Sequence, residues 1–355
     1  MKTLKNIFKD YTVPCIFILL GIIGFIISGL SFKMVINDLI ERLGRNLFIV
    51  LSLIIPISAG MGINFALTVG AMAGQLAVIA VVVMNIEGIG GTFTAFLISV
   101  PISIIFGLII GFLMNKTKGR EMITGLVAAY FFSGIYQLII LSLPINNPII
   151  GVEGGKGIKS TIDLGIIKYS LDRFPTYIRV LGIKIPLFTL IICGLLCVFI
   201  WYIGKTKLGQ DIKITGLDIK TAEEKGINVN KVRIIAIVLS TVFAGIGQII
   251  SLQNIGTLST FGSHEQVGMY AAAAILVGGA SIKKAKFTNA IVGTILFYFL
   301  FIVTPKAGAN IFGDTQIGEF FRVFIAYGVI VVALYINNKR NKSYSGALEL
   351  KCLST

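Results

Sequence analysis

Charge is scarce in this chain and histidine is nearly missing: charged residues make up 13% of 355 positions, and His264 is the one histidine. A soluble globular domain carries about a quarter of its residues as Asp, Glu, Lys and Arg, so a water-exposed surface of the usual kind is excluded. Base-dependent hydrolytic and redox chemistry normally needs a His held by a partner. His264 stands beside Glu265 in a short loop and reads as a solvated side chain. The four cysteines are Cys15, Cys193, Cys197 and Cys352, three of them inside apolar runs, which excludes a secreted disulfide framework. Cys193 and Cys197 share a helix face four residues apart but lack further ligands for a metal, and they read as packing residues. Acidic and basic residues are almost absent from the apolar runs, Glu87 and Glu265 lying near their edges. That counts against an ion-coupled secondary transporter, which would bury titratable groups. No convergent set of nucleophile, base and metal ligands marks an embedded enzyme.

What the chain has instead is apolar length. Hydrophobic residues form 55% of the sequence and the mean hydropathy is +0.91. Crossing a hydrocarbon core of about 30 Å takes roughly 20 helical residues, and without the alternation of a barrel only helices can span. The pattern predicts an all-α polytopic membrane protein with about ten spans, near 11–31, 47–60, 64–84, 92–114, 122–143, 186–203, 233–252, 266–280, 288–304 and 319–337. Around Ser58-Ala-Gly-Met-Gly-Ile-Asn64 a short run and its glycines predict a broken or re-entrant helix within 47–64. The first apolar run has no small-residue cleavage pattern, so a retained first span is expected.

Lys and Arg set the orientation through the short loops. Lys2, Lys5 and Lys9, then Lys116, Lys118 and Arg120, then the stretch Gly204–Arg233, then Lys283, Lys284 and Lys286, then Lys339, Arg340 and Lys342 fall on one side. That side is read as cytoplasmic, with both termini on it. Lys33, Arg42, Arg45, Lys306 and a long loop at 144–185 fall outside. The whole chain, 1–355, is read as a single transmembrane domain. The net charge of +15 is spread over separate loops rather than gathered on one face with stacking aromatics, which excludes nucleic acid as a partner and leaves anionic membrane lipids. The glycine-rich Gly151-Val-Glu-Gly-Gly-Lys-Gly157 misses the phosphate-loop spacing, and Gly follows its Lys where Ser or Thr is required. If ATP drives this protein, a separate chain binds it.

The polar stretch 204–233 interrupts this apolar protein and has the signals of a short capped helix. Asp218 is a suitable N-cap for Ile219–Lys225, Gly226 stands at the left-handed C-cap position, and Glu223 and Glu224 can bond locally or face a partner. Asn230 is placed to cap the following span. Polar side chains within spans are candidates for a solute pathway: Asn64, Thr68, Gln75, Tyr130, Tyr136, Gln137, Gln248 and Gln253. Amides read hydroxyls and ring nitrogens, and aromatic faces stack on sugars or bases. The pairs Gly70/Gly74 and Gly107/Gly111 read as close helix packing.

Gly216-Leu-Asp-Ile-Lys-Thr-Ala-Glu-Glu-Lys-Gly-Ile-Asn-Val229 resembles the cytoplasmic motif of ribose-type ABC importer permeases, with Ala222 kept and Glu223 in place of a second Ala. Ala274-Ile-Leu-Val-Gly-Gly-Ala-Ser-Ile282 followed by Gly293-Thr-Ile-Leu296 is similar to that family's second signature, here continued by Lys283 and Lys284. Gly62-Ile-Asn-Phe-Ala-Leu-Thr-Val-Gly70 has Asn64 where the family often has an acid, and Gly74-Gln75 is similar to a pair in the nucleoside-importing branch. The resemblance covers most of the chain, most specifically 204–296. It implies a permease in the inner membrane of a bacterium, paired with a second permease copy or homologue. Two cytoplasmic ATP-binding subunits would hold ATP and Mg, and an extracytoplasmic binding protein would deliver a simple sugar or a nucleoside. This chain would bind no cofactor or metal itself and would not be an enzyme. Coupling to ATP hydrolysis would fall to Gly216, Asp218, Ile219, Ala222, Glu223, Glu224, Gly226 and Asn228. A stand-alone secondary transporter of a small polar solute is the alternative.

Overall fold

The computed structural model describes residues 2–142, 151, 158–173, 177–180, 183–282 and 284–325, with 327, 328, 330–332 and 335 beyond them. Most of Gly151–Gly157, part of the 144–185 loop, Lys283 and Cys352 lie outside the described residues. Helices dominate: α1 (Lys2–Ser28), α2 (Phe32–Ser52), α3 (Ile54–Ser58), α4 (Leu67–Val83), α5 (Gly88–Lys116), α6 (Glu121–Ser142), α7 (Leu187–Ile203), α8 (Lys207–Leu217), α9 (Ile219–Glu224), α10 (Val229–Ile255), α11 (Val267–Val277) and α12 (Phe287–Phe312). A further helical stretch runs Thr315–Val332.

Among the described residues five helices are long and apolar enough to cross a membrane: α5, α6, α10, α12 and Thr315–Val332. A sixth results if α7 and α8, bent by 78°, count as one span. The protein is therefore a multi-pass membrane protein. Helices do lie near each expected span, but α4 with 17 residues and α11 with 11 reach only about 25 and 16 Å at 1.5 Å per residue. Non-helical chain that is mostly buried adjoins one end of each, residues 59–66 before α4 and 278–280 after α11. Expected strandlessness needs amendment. Thr161–Asp163 (β1) pairs antiparallel with Thr257–Ser259 (β4), and Tyr177–Val180 (β2) pairs with Ile183–Pro186 (β3).

The chain divides into two compact units, one of residues 1–39 and 273–355, the other of residues 40–272. In the first, α1 packs along α12. An ideal Cβ on Gly21 would stand 2.7 Å from the Phe299 ring, and Asn310 donates to the Ile27 carbonyl at 2.9 Å. The expected second signature is a close backbone crossing there. A Cβ on Gly293 would meet the Ala274 oxygen and one on Gly278 the Asn289 oxygen, each at 1.9 Å, while Asn289 Nδ2 donates to Gly278 O at 2.7 Å.

In the second unit α10 is the central helix, packed along α5 and α4. The two small-residue pairs read from the sequence both land on it. Ideal Cβ atoms on Gly70 and Gly74 would fall 2.3 and 2.4 Å from the Thr241 and Gly245 oxygens, and those on Gly107 and Gly111 within 2.9 and 3.1 Å of the Val238 and Ile234 Cα atoms. Absent side chains let three backbones meet, the condition for tight association without a hydrophobic drive. The β1–β4 pairing carries residues of the long loop across the far end of α10, where Leu164 N and Tyr169 N donate to Gly256 O and Gln253 O.

Candidate functional site

The polar stretch folds as two helices rather than one. Thr206 caps α8, accepting from Gly209 N at 3.4 Å, and Gly209, Ile212 and Thr215 form its buried face. That three-residue spacing after a capping Thr was the missed signal for α8. Asp218 then caps α9, accepting from Lys220 N at 3.3 Å, Thr221 N at 3.1 Å and the Thr221 hydroxyl at 2.6 Å. The Thr221 hydroxyl bond first, then its amide, hold the Asp218 carboxyl below the usual range. Helix α9 ends at Glu224 with Lys225 as C-cap, one residue short of the sequence reading. Gly226 follows at φ +74°, a conformation costly for any side chain with a Cβ. The cap of α10 is Asn228, accepting from Lys231 N at 3.1 Å, and not Asn230, whose carbonyl instead accepts from Asn115 Nδ2 at 2.8 Å.

Three contacts join this segment to the α5–α6 turn. Lys118 faces Glu223 at 4.0 Å, Asn115 holds Asn230, and the Arg233 guanidinium is paired with Glu121 in the interior. The last pair was missed because each residue stands at the edge of an apolar run, where a charge normally reaches water. Ala222 is fully buried and faces inward, whereas Glu223, Glu224 and Lys220 are exposed and Ile219 is half-exposed. Leu217, also missed, is 87% exposed. It precedes the N-cap, where an apolar residue often packs back on its own helix, yet it stands outward. Gly216 has a separate contact: its ideal Cβ would lie 2.1 Å from the Ser58 carbonyl oxygen at the end of α3.

The pathway candidates divide. Gln75 on α4, Tyr136 on α6 and Gln248 on α10 converge on the segment Thr260–His264. Tyr136 donates to Thr260 O at 3.0 Å, Gln248 Nε2 to Ser263 O at 3.2 Å, and the Gln75 Oε1 lies 3.0 Å from His264 Nδ1. Ser133 is 3.0 Å from His264 Nε2, and the Tyr136 ring stands edge-on to the imidazole at 4.8 Å. His264 is fully buried, so the solvated loop histidine of the sequence reading is corrected. Its polar neighbours in sequence suggested water, but the segment folds back between α4 and α6. Asn64 is elsewhere, in the break before α4, donating to Ser240 Oγ at 3.3 Å. Thr68 bonds back to Phe65 O at 3.2 Å. Gln253 accepts from Leu171 N at 3.5 Å, Gln137 is half-buried, and Tyr130 is 74% exposed on the outer face of α6.

The model of the family described as branched-chain amino acid transport system, permease component, matches residues 37–334. Similar proteins include the ribose import permease protein RbsC of Escherichia coli strain K12, 23% identical over 278 residues that make up 77% of each chain. Another is the autoinducer 2 import system permease protein LsrC of Salmonella paratyphi B, 28% identical over 247 residues, 67% of this chain and 61% of that one. Among solved structures, an inward-facing metal-chelate type ABC transporter covers 91% of this chain and 99% of its own at 14% identity and a TM-score of 0.44. With the family model running from α2 through the capped polar segment and the glycine crossing to Thr315–Val332, the chain belongs to the branched-chain amino acid transport system permease family.

Proposed function

We propose that this chain is the transmembrane permease subunit of an ATP-driven ABC importer, carrying a small polar solute of the simple-sugar or nucleoside class across the inner membrane of a bacterium. Family membership and the import permeases among its relatives support this over a stand-alone secondary transporter. In this reading both termini and the 204–233 segment are cytoplasmic, the 144–185 loop is external, and the partners are ATP-binding subunits that hold ATP and Mg, a second permease, and an extracytoplasmic solute-binding protein.

The observation that carries the reading is α9, capped at both ends, facing Lys118 of the α5–α6 turn through Glu223, and leading into α10, whose first turn Asn115 holds. A helix so held moves with the membrane helices it joins, and a floppy loop would dissipate the same displacement. Docking falls to the outward residues Lys220, Glu223 and Glu224 of α9 and to Leu217 at the end of α8, with Ala222 supporting α9 from within. ATP-driven closure of the partner subunits would displace α8 and α9. Helix α10, which begins two residues past Ile227, would carry that movement to Gln248 and the Gln75–His264–Tyr136 cluster. There amides, hydroxyls and an imidazole offer the hydrogen bonds a polar solute loses on leaving water.

Affinity purification of this chain from its native membrane in mild detergent, with mass spectrometry of bound proteins and small molecules, tests the reading. Recovery of an ATP-binding subunit, and of a sugar or nucleoside on an accompanying binding protein, is the expected result. Isolation of the chain alone, with flux in liposomes under an ion gradient, would refute it.

A further inference from the structure

The short helix α3 and the following chain to α4 form a buried stretch that is not helical. Gly60 has φ +74°, and Ala59, Met61, Gly62, Ile63, Asn64 and Ala66 are all buried. At its α4 end the carbonyls are in use, since Asn64 O, Phe65 O and Ala66 O accept from Leu67, Thr68 and Val69. The Ala59, Gly60 and Met61 amides donate back to α3, but among the described residues no backbone carbonyl accepts from the N–H of Gly62, Ile63, Asn64, Phe65 or Ala66. The Asn64 Oδ1 is likewise buried without a partner. Buried amides are nearly always paired, and a run of unpaired ones leaves this part of the unit's interior weakly fastened, the kind of segment from which moving elements are drawn.

This segment meets α8 where two glycine backbones cross. An ideal Cβ on Gly60 would lie 2.8 Å from Gly216 Cα, and one on Gly216 would lie 2.1 Å from Ser58 O and 2.9 Å from Gly60 N. Gly216 is the last residue but one of α8, directly before Leu217 and the Asp218 cap. No flexible side chain lies between the two main chains, so a shift of α8 cannot be absorbed there by a change of rotamer. On its other side the segment is bounded by Gly125 of α6, whose ideal Cβ would stand 3.3 Å from Ala66 N.

We propose that Gly216 and Gly60 form the joint through which displacement of α8 and α9 rearranges the unwound segment Ala59–Ala66, presenting its free amides and the Asn64 side chain to the solute at one stage of the cycle. The two glycines are positioning residues that act through Asn64. The proposal rests on the reading of α9 as the coupling helix and adds where the movement goes.

The test is Gly216→Ala in the assembled transporter, with three readouts: co-purification of the ATP-binding subunits, ATP hydrolysis, and solute uptake. The expected result is an assembled, hydrolysing complex whose uptake falls about tenfold or more, the size of a typical coupling between sites. Normal uptake by an assembled variant overturns the joint and leaves the coupling reading intact. Failure of the wild-type chain to recover any ATP-binding subunit overturns both. Should the variant not fold, hydrogen exchange on the wild-type complex decides: binding of a non-hydrolysable ATP analogue is expected to change exchange at Gly62–Ala66 together with α9. A change at α9 with none at Gly62–Ala66 overturns the proposal.

Discussion

The Arg233 guanidinium is buried against the Glu121 carboxylate, joining the start of α10 to the first turn of α6, with their side chains only 1% and 10% exposed. Among the described residues the Arg233 Nε has no partner, and the pair is made through Nη2. Removing either charge leaves the other unpaired in the interior, which costs about 3–5 kcal/mol. Glu121→Gln and Arg233→Met are each expected to lower the thermal unfolding temperature in detergent sharply, and the double variant Glu121→Leu with Arg233→Met to recover most of it. Equal loss in the single and double variants would show that the pair contributes by packing alone.

The inward Ala222 and the outward Leu217 separate support from docking. Ala222→Arg forces a long charged chain into a site with no exposure and is expected to loosen α9 itself, seen as faster amide exchange across Ile219–Glu224. Leu217→Glu changes only a protruding side chain and is expected to leave exchange and thermal stability unaltered. Loss of an anchoring side chain at a protein interface typically costs about 2 kcal/mol, so the recovery of ATP-binding subunits is expected to drop. Unchanged recovery with Leu217→Glu would move the docking face elsewhere.

The Asp218 cap has a pH signature. Its folded carboxyl lies below the ordinary range, chiefly through the Thr221 hydroxyl, so its contribution is present above the unfolded pKa of about 3.9 and is lost as pH falls through the lower folded value. Helix α9 is expected to fray on acidification, with the Lys220 and Thr221 amides exchanging faster relative to the intrinsic rate. Asp218→Asn, which keeps an acceptor but does not titrate, should remove that dependence, and Asp218→Ala should show the frayed state at neutral pH.

Gly70 and Gly74 lie so close to α10 that any Cβ overlaps a carbonyl oxygen. Gly74→Ala is expected to destabilise the fold by about 1–3 kcal/mol through forced separation of α4 and α10. Gly134→Ala, on α6 with open space around it, is the matched control and is expected to be neutral or slightly stabilising in a thermal melt.

His264 links α4 to α6 through Gln75 and Ser133. His264→Ala leaves the buried Gln75 short of a partner, which costs about 1–3 kcal/mol, and also removes the partner of the half-buried Ser133. Uptake is expected to fall along with stability, whereas His264→Gln, able to donate and accept, should restore part of each. Full transport by the alanine variant would remove the cluster from the solute path.

Composition, apolar run length and the missing alternation of a barrel determined on their own that this is a multi-pass helical membrane protein, because the hydrocarbon core accepts only helices and closed barrels. The ends of α9 were equally legible, since a cap is a contact between residues two or three apart. Spacing alone also marked Gly70, Gly74, Gly107 and Gly111 as packing sites, though not that all four meet α10. Tertiary structure decided the rest. The inward face of Ala222, the burial of His264 against a Gln75 that lies 189 positions away, the Arg233–Glu121 pair and the Gly216–Ser58 approach all depend on segments remote in sequence meeting in space. A local pattern cannot distinguish a polar residue that reaches water from one enclosed by helices folded from elsewhere in the chain. Burial is a property of the neighbours, and the neighbours are set by the packing around α10.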